Sequence, residues 1–257
     1  MSALPTTPLL RLDPRLGMLL PQHRIADAHA ALHVRVARLR PGEWDLGRAA
    51  GNGGTDHLGV LVVEGIVAHD VLVGGTTSTE LIGPGDVLRP WTREARPLLE
   101  RMLRWHVLDD GRVALLDRDF SRRLGAWPEV NAMLMERLSQ RAERLATVQA
   151  IAKVTKVERR VLAYLWHLAE RWGRASADGV HVPLTLSHRM LGQIVGARRP
   201  TVTAAVRLLI DSGEVVRRPD GSWLLIGDGH RLGADEPRRP IAPRRRIVVG
   251  LDPLAVD

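Results

Sequence analysis

The chain of 257 residues contains no cysteine. That excludes disulfides, a thiolate nucleophile, cysteine-ligated zinc and a cysteine-held iron–sulfur cluster. No apolar run approaches the roughly eighteen residues of a membrane-spanning helix, and the start, MSALPTTPLLRLDP, lacks the basic-then-apolar order of a secretory signal. Lysine is nearly missing too: of 37 basic residues only Lys153 and Lys156 are not arginine. What is present is an ordinary globular composition, 45% hydrophobic and 26% charged, enough for one large domain or two smaller ones. A disordered tail protein, a collagen and a disulfide scaffold are excluded, and a soluble, cytoplasmic protein is expected. The formal charge of +8 favours polyanionic partners, nucleic acid ahead of anionic membrane. Arginine suits bidentate phosphate and guanine contacts, although a GC-rich genome would enrich it everywhere. Charge therefore ranks partners without naming one.

Residues 1–21 read as a short extended lead-in, and 22–31 support one helical turn or two. Leu32 to Leu39 (LHVRVARL) alternates apolar and polar, the period of a half-buried strand. His57 to Val63 and Ile66 to Val73, joined by Glu64-Gly65, read as a hairpin. Ser78 to Ile82, Arg104 to Leu108 and Val113 to Leu116 supply further strands, punctuated by Gly83-Pro84-Gly85-Asp86 and Asp109-Asp110-Gly111. Such spacing predicts a β-roll or barrel. The character changes at Pro128, and from Glu129 to Trp172 there is no Gly or Pro. Good helix formers dominate that run. Leu134, Leu138, Leu145, Val148, Ala152 and Thr155 form a stripe broken only by Arg141, which suggests a dimerisation helix; packing on the chain's own β-domain is the alternative. Thr155 and Glu158 fit a capping box, which divides the run into two helices. The second shows Val157, Val161, Leu165, Leu168 and Trp172 on one face and ends at Gly173.

Residues 184–227 carry the functional signal. Ser187 is a good N-cap for a helix from His188 to Val195, and Gly196 ends it in a left-handed conformation. A second helix starts near Arg199-Pro200, where proline's missing N–H costs nothing, and runs to Ser212-Gly213. Val202, Val206 and Leu209 would meet Leu191 and Ile194. Strands around Pro219-Asp220-Gly221 then make a two-stranded wing. This is a helix-turn-helix with a basic first turn on its second helix. Arg198, Arg199, Thr201 and Thr203 would face the major groove. Ser187, His188 and Arg189 would sit over phosphates, and Arg217 and Arg218 would place charge on the wing.

The stretch LSHRMLGQIVGARRPTVTAAVRLLIDSGEV resembles the DNA-binding element of the CRP/FNR superfamily of bacterial transcription regulators. HLGVLVVEGIVAHD and LIGPGDVL look like its cyclic-nucleotide-binding-like roll, and residues 127–173 resemble its dimerisation helix and the helix that follows. The resemblance implies an α+β chain with an N-terminal antiparallel β-roll (cupin-like), a long dimerisation helix and a C-terminal winged helix-turn-helix. The expected divisions are 1–127, 128–154, 155–227, and an Arg/Pro-rich extension over 228–257. By the same resemblance Arg199 matches a guanine-reading arginine, and Thr201, Ser187 and Arg189 fall at phosphate-contacting positions. Pro200 stands where many members have Glu, and Ala204 where many have a second base-reading Arg, so the family's best-known half-site is not expected; Thr203 offers a thymine-methyl contact instead.

In the sensor domain, members that bind cyclic nucleotides carry Gly-Glu after the GPGD turn and then an Arg-Ser or Arg-Thr clamp. This chain has Arg89-Pro90-Trp91 and no such clamp in register, which argues against cyclic AMP. Arg89, Arg93, Arg96 and Trp91 could form another anionic pocket or simply an arginine-rich surface. No cofactor is expected: His29 and His33, with His23 upstream, lack a placed third ligand for metal or haem. Enzyme motifs are lacking, and Glu43 with Asp45, and Asp117 with Asp119, read as exposed carboxylates. The extension from Asp228 reads as a flexible segment adding nonspecific DNA attraction, or its end IVVGLDPLAV as a strand packing back. The expected function is sequence-specific DNA binding by a homodimer, on a near-palindromic operator, with RNA polymerase as a further partner and no membrane. The alternatives are a regulator answering to a cyclic (di)nucleotide or another small molecule, and a ligand-free constitutive DNA-binding protein.

Overall fold

The computed structural model describes residues 4–44, 57–89 and 98–227. The sequence features at Asp45, 51–54, 90–97 and 228–257, including Trp91, Arg93, Arg96 and the C-terminal extension, lie outside those residues. The first strands are β1 (Thr6–Pro8), β2 (His33–Leu39), β3 (Gly42–Glu43), β4 (Gly59–Glu64) and β5 (Val67–Val73). They are followed by β6 (Thr76–Ile82), β7 (Val87–Leu88), β8 (Met102–Val107) and β9 (Gly111–Leu116). Two antiparallel sheets result, ordered β1-β2-β9-β4-β7 and β3-β8-β5-β6.

Strand parity explains the roll. Side chains alternate between faces, so β4 and β9, which read as continuous apolar runs, serve two layers at once. Val60, Val62, Val113 and Leu115 point between the sheets, where they meet Val67, Ile82 and Val107 of the second sheet. Leu61, Ala114 and Leu116 point the other way, into a helical layer. The same need corrects the expected hairpin at Glu64-Gly65. Strand β4 pairs with β7 and β9, whereas β5 pairs with β6 and β8, so this dipeptide is a corner between sheets. Edge-to-edge pairing would leave Val60, Val62 and Val67 without an opposing layer to bury them. The true hairpin is β5–β6, closed by Gly74-Gly75.

The lead-in also differs from expectation. Helix α1 (Leu9–Leu12) and a 3-10 turn (Pro14–Gly17) bury Leu9, Leu10 and Leu16 in the helical layer. A further turn and α2 (Ile25–Ala31) precede β2. His29 lies on α2 and His33 on β2, on different elements. Helix α3 (Arg118–Leu124) starts at Asp117, where the sequence reading expects an exposed carboxylate. That carboxylate is instead buried, accepts from the Phe120 N–H at 2.9 Å and pairs with Arg35 at 2.9 Å, so capping and charge pairing explain its burial. Glu43 and Asp119 are exposed.

Helix α4 (Pro128–Ile151) crosses the roll, and α5 (Val157–Trp172) follows after a short break. Thr155 does not cap α5. Lys156 occupies the N-cap without a side-chain bond, and Arg160 bonds back to the carbonyls of Val154 and Thr155 instead. Gly173 does end α5, with φ −67°; glycine is required there because a Cβ would lie 2.4 Å from the Ala169 carbonyl oxygen. The expected stripe on α4 divides. Leu134 is buried in the helical layer, Val148 packs on the core beneath the C-terminal unit, and Ala152 is half-buried past the helix end. Leu138 and Leu145 remain exposed. Arg141, the interruption, makes a two-pronged pair with Glu80 at 2.7 Å on each arm.

That pair belongs to a set of ionic ties between the roll and the helices. Asp86, 3% exposed, accepts the Gly83 N–H at 2.9 Å and pairs with Arg144 of α4 and, at 2.6 Å, with Arg171 of α5. Burial raises the Glu80 carboxyl, but Arg141 and His69 outweigh it and hold it at about 2. Since the unfolded value is near 4.5, this group's contribution to stability is present above pH 4.5 and lost as pH falls towards 2. Acid titration followed by circular dichroism should show Glu80→Gln flattening that part of the stability curve.

Candidate nucleic-acid interface

The C-terminal unit is built on one core that α5 shares with α6 (His188–Val195) and α7 (Arg199–Asp211). Val161, Leu165 and Leu168 of α5 meet Leu191 and Ile194 of α6 and Val202, Val206 and Leu209 of α7. The wing is larger than expected. Strands β12 (Val215–Arg217) and β13 (Trp223–Leu225) join β10 (Arg174–Ser176) and β11 (Gly179–Val182) in a four-stranded sheet, order β10-β11-β13-β12. The sequence RASADGVHV concealed the extra hairpin because β10 is short and exposed throughout, with no alternation to read.

The turn between α6 and α7 follows directly from local chemistry. Ser187 Oγ accepts the Met190 N–H at 3.1 Å, satisfying one free donor of the first turn. Gly196 ends α6 with φ +67°, and the Ala197 N–H reaches the Gly192 carbonyl at 2.9 Å. Gly192 is the tighter requirement, since a Cβ there would lie 2.5 Å from the Ala197 carbonyl oxygen. Gly192→Ala is therefore expected to push the two helices apart and cost about 1–3 kcal/mol, the usual range for overpacking, read from thermal melting. Arg160 donates from α5 to the Val195 and Gly196 carbonyls, both at 3.3 Å. With its bonds to Val154 and Thr155, it fastens the α4–α5 connection to the turn; nothing in the sequence pattern singled it out.

At the start of α7 the side chains divide by role. Pro200 sits in the first turn, and Arg198, Arg199, Thr201 and Thr203 lie on the outer side, all four exposed. The Thr203 hydroxyl donates to the Arg199 carbonyl at 3.0 Å, so it accepts from His188 Nδ1–H at 2.9 Å. Burial, with the charges of Arg217 and Arg199, holds His188 below the usual imidazole range. At neutral pH His188 thus offers a hydrogen-bonding edge and no charge. Arg189 is exposed on α6. Arg217 differs from a free wing charge: its guanidinium lies 3.9 Å above the Trp223 ring and bonds the Leu186 carbonyl at 3.4 Å, and burial lowers its basicity. Arg218, half-buried, follows at the wing turn.

Elsewhere most arginines of the long helices are engaged. Arg137, Arg141, Arg144, Arg159 and Arg171 all pair with carboxylates. Arg189, Arg198 and Arg199 have no carboxylate partner among the described residues. Unneutralised guanidiniums beside a helix N-terminus form a ready phosphate-binding edge. No group of three or more metal-ligating side chains occurs among the described residues, and no helix there is long and apolar enough to cross a membrane.

Fold and site together define a winged helix-turn-helix protein carrying an antiparallel β-roll. Residues 159–234 match the Crp-like helix-turn-helix domain. It is 32% identical over 127 residues to a CRP-like cAMP-activated global transcriptional regulator of Mycobacterium tuberculosis, a match covering 49% of this chain and 56% of that protein. The chain thus spans about half the length of the curated relatives it matches. Among solved structures, a CooA mutant from Carboxydothermus hydrogenoformans superposes with a TM-score of 0.61 at 17% identity, covering 91% of this chain and 97% of that one. A cyclic nucleotide-binding domain containing protein from Listeria monocytogenes gives 0.60 at 16% identity, covering 83% and 97%. At these identities the structural matches establish the fold. The curated relatives are named as transcriptional regulators.

Proposed function

We propose that the protein is a homodimeric, sequence-specific DNA-binding regulator of transcription acting in the cytoplasm. The observation that carries this reading is the unneutralised arginine edge of Arg189, Arg198 and Arg199 on a helix-turn-helix of the Crp-like family. Arg199 reads a base edge; Ser187, His188, Arg189, Arg198 and Thr201 position the backbone; Thr203 adds a methyl contact; Arg217 and Arg218 serve the wing. The working units of the chain are 1–127, 128–154, 155–227 and 228–257, and RNA polymerase is a further partner.

The dimer seam runs along α4, on a stripe shifted from the one the sequence suggested. Asn131, Met135, Leu138, Ala142, Leu145 and Gln149 are all exposed and recur at alternating steps of four and three. That is the 3.5-residue period of a two-helix seam. Met135, Leu138 and Leu145 are 47%, 39% and 38% exposed, and a second copy of α4 would cover them. Two readers in one dimer call for a near-palindromic site with half-sites about one helical turn apart. Leu138→Asp is expected to give monomers in sedimentation velocity and to reduce binding of the full palindrome to that of a single half-site. A variant that stays dimeric would reject this seam.

The curated relative is named for cAMP activation, but Arg89-Pro90-Trp91 replaces the Gly-Glu start of a cyclic-phosphate cradle here, which supports a regulator that does not answer to cyclic AMP. The deciding experiment is fluorescence-anisotropy titration of the ligand-free protein on its own upstream DNA and on a scrambled duplex, at two salt concentrations. Tight binding to the upstream DNA alone, weakening steeply with salt, is expected. Equal weak binding to both duplexes, followed by failure of a genome-wide site selection, would remove sequence-specific regulation.

A further inference from the structure

Thr203 stands one turn after Arg199 on α7 and is exposed with it. A threonine so placed carries two different groups that a base edge can meet. The hydroxyl both donates and accepts, so it suits several bases, whereas the methyl favours the thymine methyl. Which of them faces outward is a matter of χ1. In a helix threonine divides between two rotamers, because its hydroxyl can bond the carbonyl three or four residues back. The Arg199 carbonyl, 3.0 Å from Thr203 Oγ1, therefore does not fix the choice by itself.

What fixes it comes from the other helix. His188, in the first turn of α6 and 15 positions earlier, reaches Thr203 Oγ1 with Nδ1 at 2.9 Å. The hydroxyl has a single proton and the Arg199 carbonyl can only accept, so that proton is committed there and the imidazole must donate. Nδ1 thus carries the proton of the neutral ring. Nε2, which has no hydrogen-bond partner among the described residues, is left a bare acceptor. The ring is half-buried, and Arg217 of β12 and Arg199 of α7 stand near enough to oppose a charge on it. With its proton and a lone pair committed within the protein, the hydroxyl is held toward α6. The methyl is the group of Thr203 left for DNA.

We propose that His188 is a positioning residue that sets base preference: by locking the Thr203 hydroxyl against α6, it makes Thr203 a methyl reader, selective for thymine at one base pair of each half-site. This rests on the DNA-binding reading above and gives His188 a role beyond backbone contact.

Two experiments on the full chain test it. Nitrogen-15 NMR without DNA reads the imidazole tautomer above neutral pH. A protonated Nδ1 and a bare Nε2 are expected for His188, and the opposite tautomer would overturn the lock whether or not the protein binds DNA. Site selection from a randomised duplex pool, followed by anisotropy titration on single-base variants of the selected half-site, reads the preference. His188→Leu is expected to reduce discrimination for thymine at one base pair by roughly three- to tenfold, with the guanine dependence of Arg199 unchanged. His188→Asn, whose amide N–H takes the place of Nδ1–H, should keep that discrimination. Thr203→Val presents a methyl without needing the lock, so in that background His188→Leu should change nothing. Thr203→Ser lacks the methyl and should lose the thymine preference even with His188 in place, which covers the case in which His188→Leu misfolds. A thymine preference that survives Thr203→Ser or His188→Leu, or a loss equal on every duplex, would overturn the proposal and leave the DNA-binding reading standing. A wild type that selects no site would remove both.

Discussion

Replacing Arg199 with alanine is expected to weaken binding to the true operator by about 1–3 kcal/mol, roughly 5- to 150-fold, and to weaken binding to scrambled DNA far less. The reason is positional. Arg199 is exposed in the first turn of α7 and has no carboxylate partner among the described residues. Its carbonyl already anchors the Thr203 hydroxyl, while its side chain is free of any such duty. On the proposed reading, truncation removes a contact made only with DNA and leaves the helix cap and core unchanged. Arg189→Ala should behave differently, lowering affinity on both duplexes alike and reducing the salt slope by about one. Anisotropy titrations at two salt concentrations separate the two outcomes. Equal losses on both duplexes for Arg199→Ala would reassign it to the phosphate backbone.

Asp86→Ala is expected to destabilise the folded chain by about 3–5 kcal/mol, the range for removing one partner of a buried ionic cluster. Asp86 is 3% exposed and is the shared partner of Arg144 and Arg171. Without it two guanidiniums lie close together, partly buried and uncompensated, and the Gly83 N–H loses its acceptor. Denaturant unfolding measures the loss directly. Asp86→Asn keeps the acceptor for Gly83 but not the charge, so it should fall between the wild type and Asp86→Ala. If both variants unfold at the wild-type midpoint, the cluster contributes nothing to holding the roll against α4 and α5.

The helix-turn-helix was legible because each of its parts is decided within a few residues. Ser187 caps, Gly196 turns, Pro200 opens α7, and Val202, Val206 and Leu209 repeat at helical spacing; every one of these is local backbone or side-chain chemistry. The roll was legible only as a set of strands. Glu64-Gly65 closes a hairpin or turns a corner with equal ease, and the choice fell to the corner because Val60 and Val62 must face Val67 across the roll. Thr155 and Glu158 had the pattern of a capping box, but the helix starts one residue later than that pattern requires, with Lys156 at the N-cap.

The α4 stripe shows the boundary most plainly. A 3.5-residue repeat can be read from the residue order, but which of two overlapping repeats faces outward depends on where the roll lies. Leu134 went inward to meet Phe120 and Val130, and Met135 was left outside. Residue order alone thus marked the helix-turn-helix and the arginines at the start of its second helix, since both rest on short-range periodicity, caps and charge. Sheet membership, the outward side of α4 and the Asp86 cluster join residues far apart in the chain, 85 positions in the case of Asp86 and Arg171. Those depend on burial and on which charges find partners, and only the packed chain decides them.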